Sequence, residues 1–258
     1  MTQISVLSYN IWFENSMVSE RIMSLLSIIE LKSPGVICMQ EVLKDVHQTL
    51  LYALYTLGYK YFFPESSNKN YDCIIVSKHP IKKTKEYPYE FSDMGRNLKI
   101  TVIEHVDTKQ LFVISTTHFE SAFKKTSENT IKIYQYAEAE KILNKLSTHY
   151  KYIIIGCDTN ILSHEEHHLM TNKSSDIWKD SWTENGSDTT KKFTYDTFTN
   201  EHVKNKNYNF NIRNRLDRIM YRGNIDTVEF ELIKKSPNND YVQPSDHHGI
   251  LAILRLKD

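Results

Sequence analysis

The chain has 258 residues, 40% hydrophobic and 25% charged, which is the balance of a globular fold in water and excludes a disordered or membrane-embedded one. Its 32 basic residues meet 32 acidic ones, so no overall field draws in a polyanion and any nucleic-acid site has to be a local patch. No apolar run reaches the roughly 20 residues of a membrane span, and Met1 to Ser8 lacks the basic start and long apolar core of a secretion signal; we expect a cytoplasmic or nuclear protein, not a secreted one, with no membrane partner.

In chain order, short apolar runs of strand length occupy Ile4 to Leu7, Val36 to Met39, Cys73 to Val76, Leu98 to Val106, Leu111 to Thr116, Tyr152 to Ile155, Leu216 to Tyr221 and Ile250 to Leu256. Helical spacing marks Val18 to Ile29, then Val42 to Leu57, and a longer element from Ile131 to about Thr148. His105 to Leu111 reads as a hairpin turn, so strands pair antiparallel as well as through helical crossovers. Many strands and few helices predict an α/β (α+β) four-layer sandwich, two packed mixed β-sheets flanked by helices, in one domain over residues 1–258. Gly156 predicts that the strand before it ends there. Cys38, Cys73 and Cys157 each lie in an apolar run, which fits buried reduced thiols.

The ends of these runs carry the chemistry. Asn10 follows the first, Gln40 and Glu41 the second, and His118, Glu120 and Ser121 follow LFVIS; Asp158 and Asn160 close KYIIIGCDTN, Asp217 lies inside RLDRIMYR, and Ser245, Asp246 and His247 precede GILAIL. Each has a plain explanation as a cap or turn. Together they supply carboxylates for a hard cation, histidines that carry a proton, and amides that orient water or phosphate, the requirements of metal-assisted phosphoester hydrolysis. A basic stretch with interleaved aromatics is the candidate nucleic-acid patch: Lys191, Lys192, Lys204, Lys206, Arg213, Arg215, Arg218 and Arg222, with Tyr208 and Phe210. His164 to His168 reads HEEHH and satisfies a zinc-protease pattern, but the segment is short and polar, and we read it as a solvated helix start.

The motifs SYNIW, MQEV, TTHFES, GCDTN, RLDRI and SDHHG, in that order over nearly the whole chain, resemble the endonuclease/exonuclease/phosphatase superfamily. GRNL, THFES, FTYDT and RLDRIMYR bring the resemblance nearest to its 5′-tyrosyl-DNA phosphodiesterase branch. The resemblance implies the four-layer sandwich with its site at one edge of both sheets, and a phosphodiesterase that frees a DNA 5′ end from a protein tyrosine and leaves a 5′-phosphate. It implies magnesium, with manganese as a substitute, held by Glu41 and Asp246 with support from Asn10. Asp158 and Asn160 would orient the attacking water, His247 would face the phosphate with Asp217 on its other nitrogen, and His118 would be a second donor. Arg96, Ser121, Tyr195 and Arg215 would contact the substrate. The expected partner is a tyrosyl-capped DNA 5′ end, with RNA 5′ ends as a further class, acted on by a monomer; the alternative is an apurinic or DNase I-like endonuclease on the same metal site. Three positions depart from the branch pattern: Leu162 stands where it has arginine, His248 where SDHWG has tryptophan, and Tyr195 where tryptophan is usual.

Overall fold

A computed structural model describes residues 2–121, 128–172, 177–204, 206, 211–235 and 242–257. The chain begins with β1 (Thr2–Asn10), α1 (Val18–Lys32), β2 (Val36–Leu43) and α2 (Lys44–Thr56), followed by β3 (Tyr61–Phe63), β4 (Tyr71–Ser77), β5 (Ile81–Pro88), β6 (Asn97–Glu104) and β7 (Leu111–His118). After α3 (Glu128–Leu146) come β8 (Ile153–Asp158), β9 (Trp178–Asp180), α4 (Ser181–Glu184), β10 (Tyr195–Asp196), α5 (Glu201–Lys204), β11 (Arg213–Asn214), β12 (Asp217–Arg222), β13 (Ile225–Ile233) and β14 (Gly249–Leu256).

Two six-stranded sheets result among the described residues, ordered β13-β14-β1-β2-β4-β3 and β5-β6-β7-β8-β12-β9, with β10 and β11 as a separate pair. Both sheets are mixed: β1 runs parallel to β2 and β7 parallel to β8, while β14, β12 and the hairpin partners run antiparallel. Alternation along each strand sorts side chains into three layers of core. Ile4, Val6, Val36, Cys38, Ile154, Ile219 and Ala252 meet between the sheets. Leu7, Ile37, Met39 and Ile74 face Leu25, Ile29, Leu50 and Leu54 of α1 and α2, and Val113, Ile153 and Ile155 face Tyr136, Ala139 and Leu143 of α3. This is the four-layer sandwich that the sequence pattern predicts, with the three cysteines free and buried.

The run KYIIIGCD corrects one expectation. Gly156 does not end the strand; it sits inside β8, level with Thr116 on one side and Ile219 on the other. Its bare Cα is needed because the opposite sheet approaches closely: a Cβ there would lie 3.1 Å from those of Ser8 and Cys38. Gly249 serves the first sheet similarly, since a Cβ would come within 2.3 Å of the Tyr9 ring, which is fully buried. Strands β3, β5, β9, β10, β11 and β13 went unmarked in the sequence pattern. β5 is an edge strand with four consecutive exposed positions, Lys82 to Lys85, and charged residues suit an edge that must not recruit another strand.

Gly249→Ala should therefore lower stability by about 1–3 kcal/mol through overpacking against Tyr9, read as a shift in the urea midpoint at constant slope. An unchanged midpoint would mean that the ring has room to move.

Candidate active site

The two parallel pairs point their carboxyl ends to the same rim, and the antiparallel strands β12 and β14 start from it. In the second sheet, register places His118, Asp158 and Asp217 side by side at the last rung of β7, β8 and β12. In the first, Asn10 at the end of β1 forms the last pair with β2, at Gln40. Directly after Gln40 the pairing of β2 with β4 slips, between Met39 and Val42, and Glu41 takes a left-handed backbone with φ 61°. A bulge that re-aims one side chain is a frequent device beside functional sites. The loop before β14 adds Ser245, Asp246 and His247.

At the centre is Asp158, 1% exposed. One of its oxygens, Oδ2, accepts from Asn10 Nδ2 at 2.9 Å and lies 3.3 Å from His118 Nε2 and 3.8 Å from His247 Nε2. The other, Oδ1, accepts the backbone N–H of Asn160 at 2.9 Å. Asn160 adopts φ 49° and anchors its side chain on the Phe119 carbonyl at 2.9 Å. The two histidines differ in charge. For His247, burial opposes protonation, but Asp217, Asp158 and Asp246 outweigh it and hold the imidazolium well above the usual histidine range; its Nδ1 meets Asp217 Oδ2 at 2.8 Å. Burial and then the Arg96 guanidinium push His118 down to about 3, against the pull of Asp158. Arg96 Nη1 lies 2.8 Å from His118 Nδ1. Guanidinium can only donate, so Nδ1 is the acceptor and the ring proton is on Nε2, aimed at Asp158.

Two carboxylates stand on the other side. Glu41 Oε2 accepts from Phe13 N at 2.9 Å and Oε1 lies 3.6 Å from His118 Nδ1. Burial and then the charge of Asp246 push the Glu41 carboxyl up to about 7, against the opposing effects of His247, the Phe13 N–H and Asn10. Asp246 is met by Lys206 Nζ at 2.7 Å, and the same amine lies over the rings of Trp12 and Tyr195 at 5.0 and 5.7 Å. Two buried, mutually repelling carboxylates of hard oxygen donors suit a divalent cation, whose charge would offset the repulsion. A second group, Asp158, Asp217 and His247, brings three ligand atoms within 4.8 Å of one another. There the Nδ1 contact with Asp217 already satisfies the imidazole, which marks it as a proton-holding pair more than a metal cage.

The remaining expected residues divide. Tyr195 packs edge-on against His247, centroids 5.2 Å apart. Arg96 lies at the rim, over Tyr71 at 5.2 Å, and Ser121 Oγ lies 3.5 Å from Met94 Sδ. Arg215 is not brought to the site: it is 6% exposed, paired with Asp180 and stacked 4.4 Å over Trp182. Arg218 is likewise internal, bonded to Asp180 and Glu166, and Arg222 is tied to Asn144, so these three arginines of the basic stretch are structural. Its aromatics Tyr208 and Phe210 lie outside the described residues. His118, expected as a second donor near the phosphate, is brought to the rim with its Nε2 3.3 Å from Asp158 Oδ2. HEEHH forms a short 3₁₀ helix, Ser163–His168, but is more than a solvated start: Glu165 pairs with buried Lys132 at 2.8 Å and Glu166 with Arg218 at 2.6 Å. His248 points inward, 2.9 Å from Thr199 Oγ1 and 3.2 Å from Gln243 Nε2, and makes no aromatic wall. Sequence reasoning placed Lys206 only in the basic stretch and gave Trp12, the last residue of SYNIW, no role of its own; no local pattern marked either for this rim.

Known proteins share this fold. The model of the Endonuclease/Exonuclease/phosphatase family matches residues 7–247. The 5′-tyrosyl-DNA phosphodiesterase of Caenorhabditis elegans is 26% identical over 254 residues, 97% of this chain and 66% of that protein, and tyrosyl-DNA phosphodiesterase 2 of Xenopus laevis is 24% identical over 263. The chain spans about two thirds of the length of these relatives. A crystal structure of truncated C. elegans TDP2 superposes with a TM-score of 0.82 at 25% identity, covering 98% of this chain and 97% of that one. D. rerio TDP2 complexed with single-strand DNA product has the same fold, with a TM-score of 0.82 at 22% identity over 99% of this chain and 100% of the other.

Nitrogen chemical shifts of the histidine rings check the assignment of charge. In the metal-free protein between pH 5 and 7.5, His118 should stay neutral with its proton on Nε2, and His247 should carry both protons. A His118 that titrates in this interval, or a neutral His247, would contradict the geometry.

Proposed function

The chain belongs to the endonuclease/exonuclease/phosphatase family, and from that premise we propose that it is a metal-dependent phosphodiesterase that hydrolyses the bond between a protein tyrosine and a nucleic-acid 5′ end, leaving a 5′-phosphate. One observation supports the reading most: Asp158 is surrounded by donors and lies 3.8 Å from the ring of His247, which is held protonated, so a carboxylate able to accept from water and a cation able to meet phosphate share one rim. The relatives whose names specify tyrosyl-DNA chemistry supply the substrate class.

Asp158, fixed through Asn10, Asn160 and His118, would accept a hydrogen bond from the attacking water and hold it opposite the leaving oxygen. His247, kept charged and in place by Asp217, would donate Nε2–H to a phosphoryl oxygen as negative charge builds in the transition state. A tyrosine leaves as a phenol of pKa about 10, a better leaving group than a sugar hydroxyl, so no strong general acid is required. Glu41 and Asp246 would hold the cation, magnesium or manganese by their oxygen chemistry. When bound, it would polarise the phosphoryl oxygens and offset the charge of the two carboxylates. Arg96 and Tyr195 flank this rim, one able to meet phosphate and the other to stack on a terminal base.

The deciding experiment is a side-by-side assay on oligonucleotides carrying a 5′-phosphotyrosine, a 3′-phosphotyrosine, an abasic site or no lesion, after chelation and return of magnesium, manganese or zinc. We expect release of tyrosine and a clean 5′-phosphate from the first substrate in magnesium or manganese. Asp158→Asn should lose about a hundredfold to ten-thousandfold in kcat, with KM little changed. Faster cutting of abasic duplex would replace the reading by an apurinic endonuclease, and activity returning only in zinc would overturn the metal assignment.

A further inference from the structure

The loop that carries Arg96 contains no regular secondary structure between Tyr89 and Arg96, yet Arg96 is 8% exposed and reaches His118 at 2.8 Å. Something has to fix a loop that presents a long, costly-to-order side chain. The nearest candidate is Glu120, the acid of THFES, which is 2% exposed. Its Oε1 accepts the backbone N–H groups of Asp93 at 3.1 Å and Met94 at 2.9 Å. Its Oε2 accepts the Ser92 hydroxyl at 2.9 Å and Gln135 Nε2 at 3.0 Å. All four partners are donors, so the arrangement uses the full acceptor capacity of an ionised carboxylate and has no place for a carboxyl proton.

The contacts continue to Arg96 itself. Ser92 Oγ, having given its hydrogen to Glu120, accepts the backbone N–H of Arg96 at 2.7 Å, and Met94 Sδ lies 3.4 Å from Arg96 Nη2. Gln135 of α3 closes the arrangement from below, accepting Glu120 N–H at 2.8 Å and donating to the Phe91 carbonyl at 2.9 Å. Bonds from neutral donors to a buried carboxylate are strong, and those made to one oxygen are lost if that oxygen becomes an amide NH2.

We propose that Glu120 is a positioning residue that holds the Ser92–Arg96 loop and thereby sets where Arg96 meets the 5′ end of the substrate. The proposal rests on the tyrosyl-DNA reading for the identity of that substrate, and the contacts themselves do not depend on it.

Glu120→Gln tests it, because the amide matches the shape and puts donors against donors. Backbone hydrogen exchange in the free protein should show Asp93, Met94 and Arg96 losing protection, with the strands β6 and β7 unchanged. On the 5′-phosphotyrosyl oligonucleotide KM should rise about tenfold while kcat stays within about threefold. In an Arg96→Ala background the same change should cost nothing further. Ser92→Ala, which removes the hydroxyl between Glu120 and the Arg96 N–H and leaves the other three bonds to Glu120 in place, decides the matter if Glu120→Gln fails to fold, and should reproduce the KM effect in part. Unaltered exchange in the loop, or losses that add to those of Arg96→Ala, would overturn the proposal. If the wild-type protein ignores the tyrosyl substrate, that reading fails, and the exchange experiment still decides whether Glu120 holds the loop.

Discussion

A carboxylate buried to the extent of Asp158 is costly unless its charge is shared among well-placed donors, and the rest of the structure can be read as the supply of those donors. Asn10 comes from β1 of one sheet, His118 and Asp158 from adjacent parallel strands of the other, Asn160 from the turn after β8 and His247 from the loop before β14. Only two sheets packed face to face, with β1 opposite β8 at the same rim, bring these together. That close packing is in turn why β8 carries glycine at 156, where a side chain would strike Ser8 and Cys38.

The opposing charges of the two histidines follow from the same arrangement. Identical rings lie on either side of one carboxylate. Asp217 on the far nitrogen of His247 helps its proton prevail over burial, while burial and then Arg96 on the far nitrogen keep His118 neutral. One ring is thus a cation able to meet phosphate, and the other a neutral donor able to fix Asp158. The histidine type alone does not assign these roles; the partner on the second nitrogen does.

Much of this was legible in the amino-acid sequence. Buried strands announce themselves as apolar runs because both faces are covered, and the polar residues that close those runs are the ones that converge on the rim. What escaped was decided by long-range pairing. Arg215 and Arg218 look like a basic surface, but Asp180 and Glu166 turn them inward. HEEHH looks like a metal pattern or a solvated turn, and its second and third residues instead neutralise Lys132 and Arg218. Strand β5 lacks an apolar run because it is an edge whose lysines face solvent. Glu120 stood in plain view in THFES, but its four donors come from a loop some 26 residues earlier and a helix 15 residues later, a grouping that no local pattern encodes.

The central claim is that a water held by Asp158 attacks phosphorus directly, opposite the departing tyrosine. Hydrolysis of a 5′-phosphotyrosyl oligonucleotide made chiral at phosphorus, run in isotopically labelled water, tests it most directly. The account predicts one solvent oxygen in the 5′-phosphate, none in the tyrosine, and inversion of configuration. Retention of configuration, which requires a covalent intermediate on the protein, or solvent oxygen in the tyrosine would contradict it.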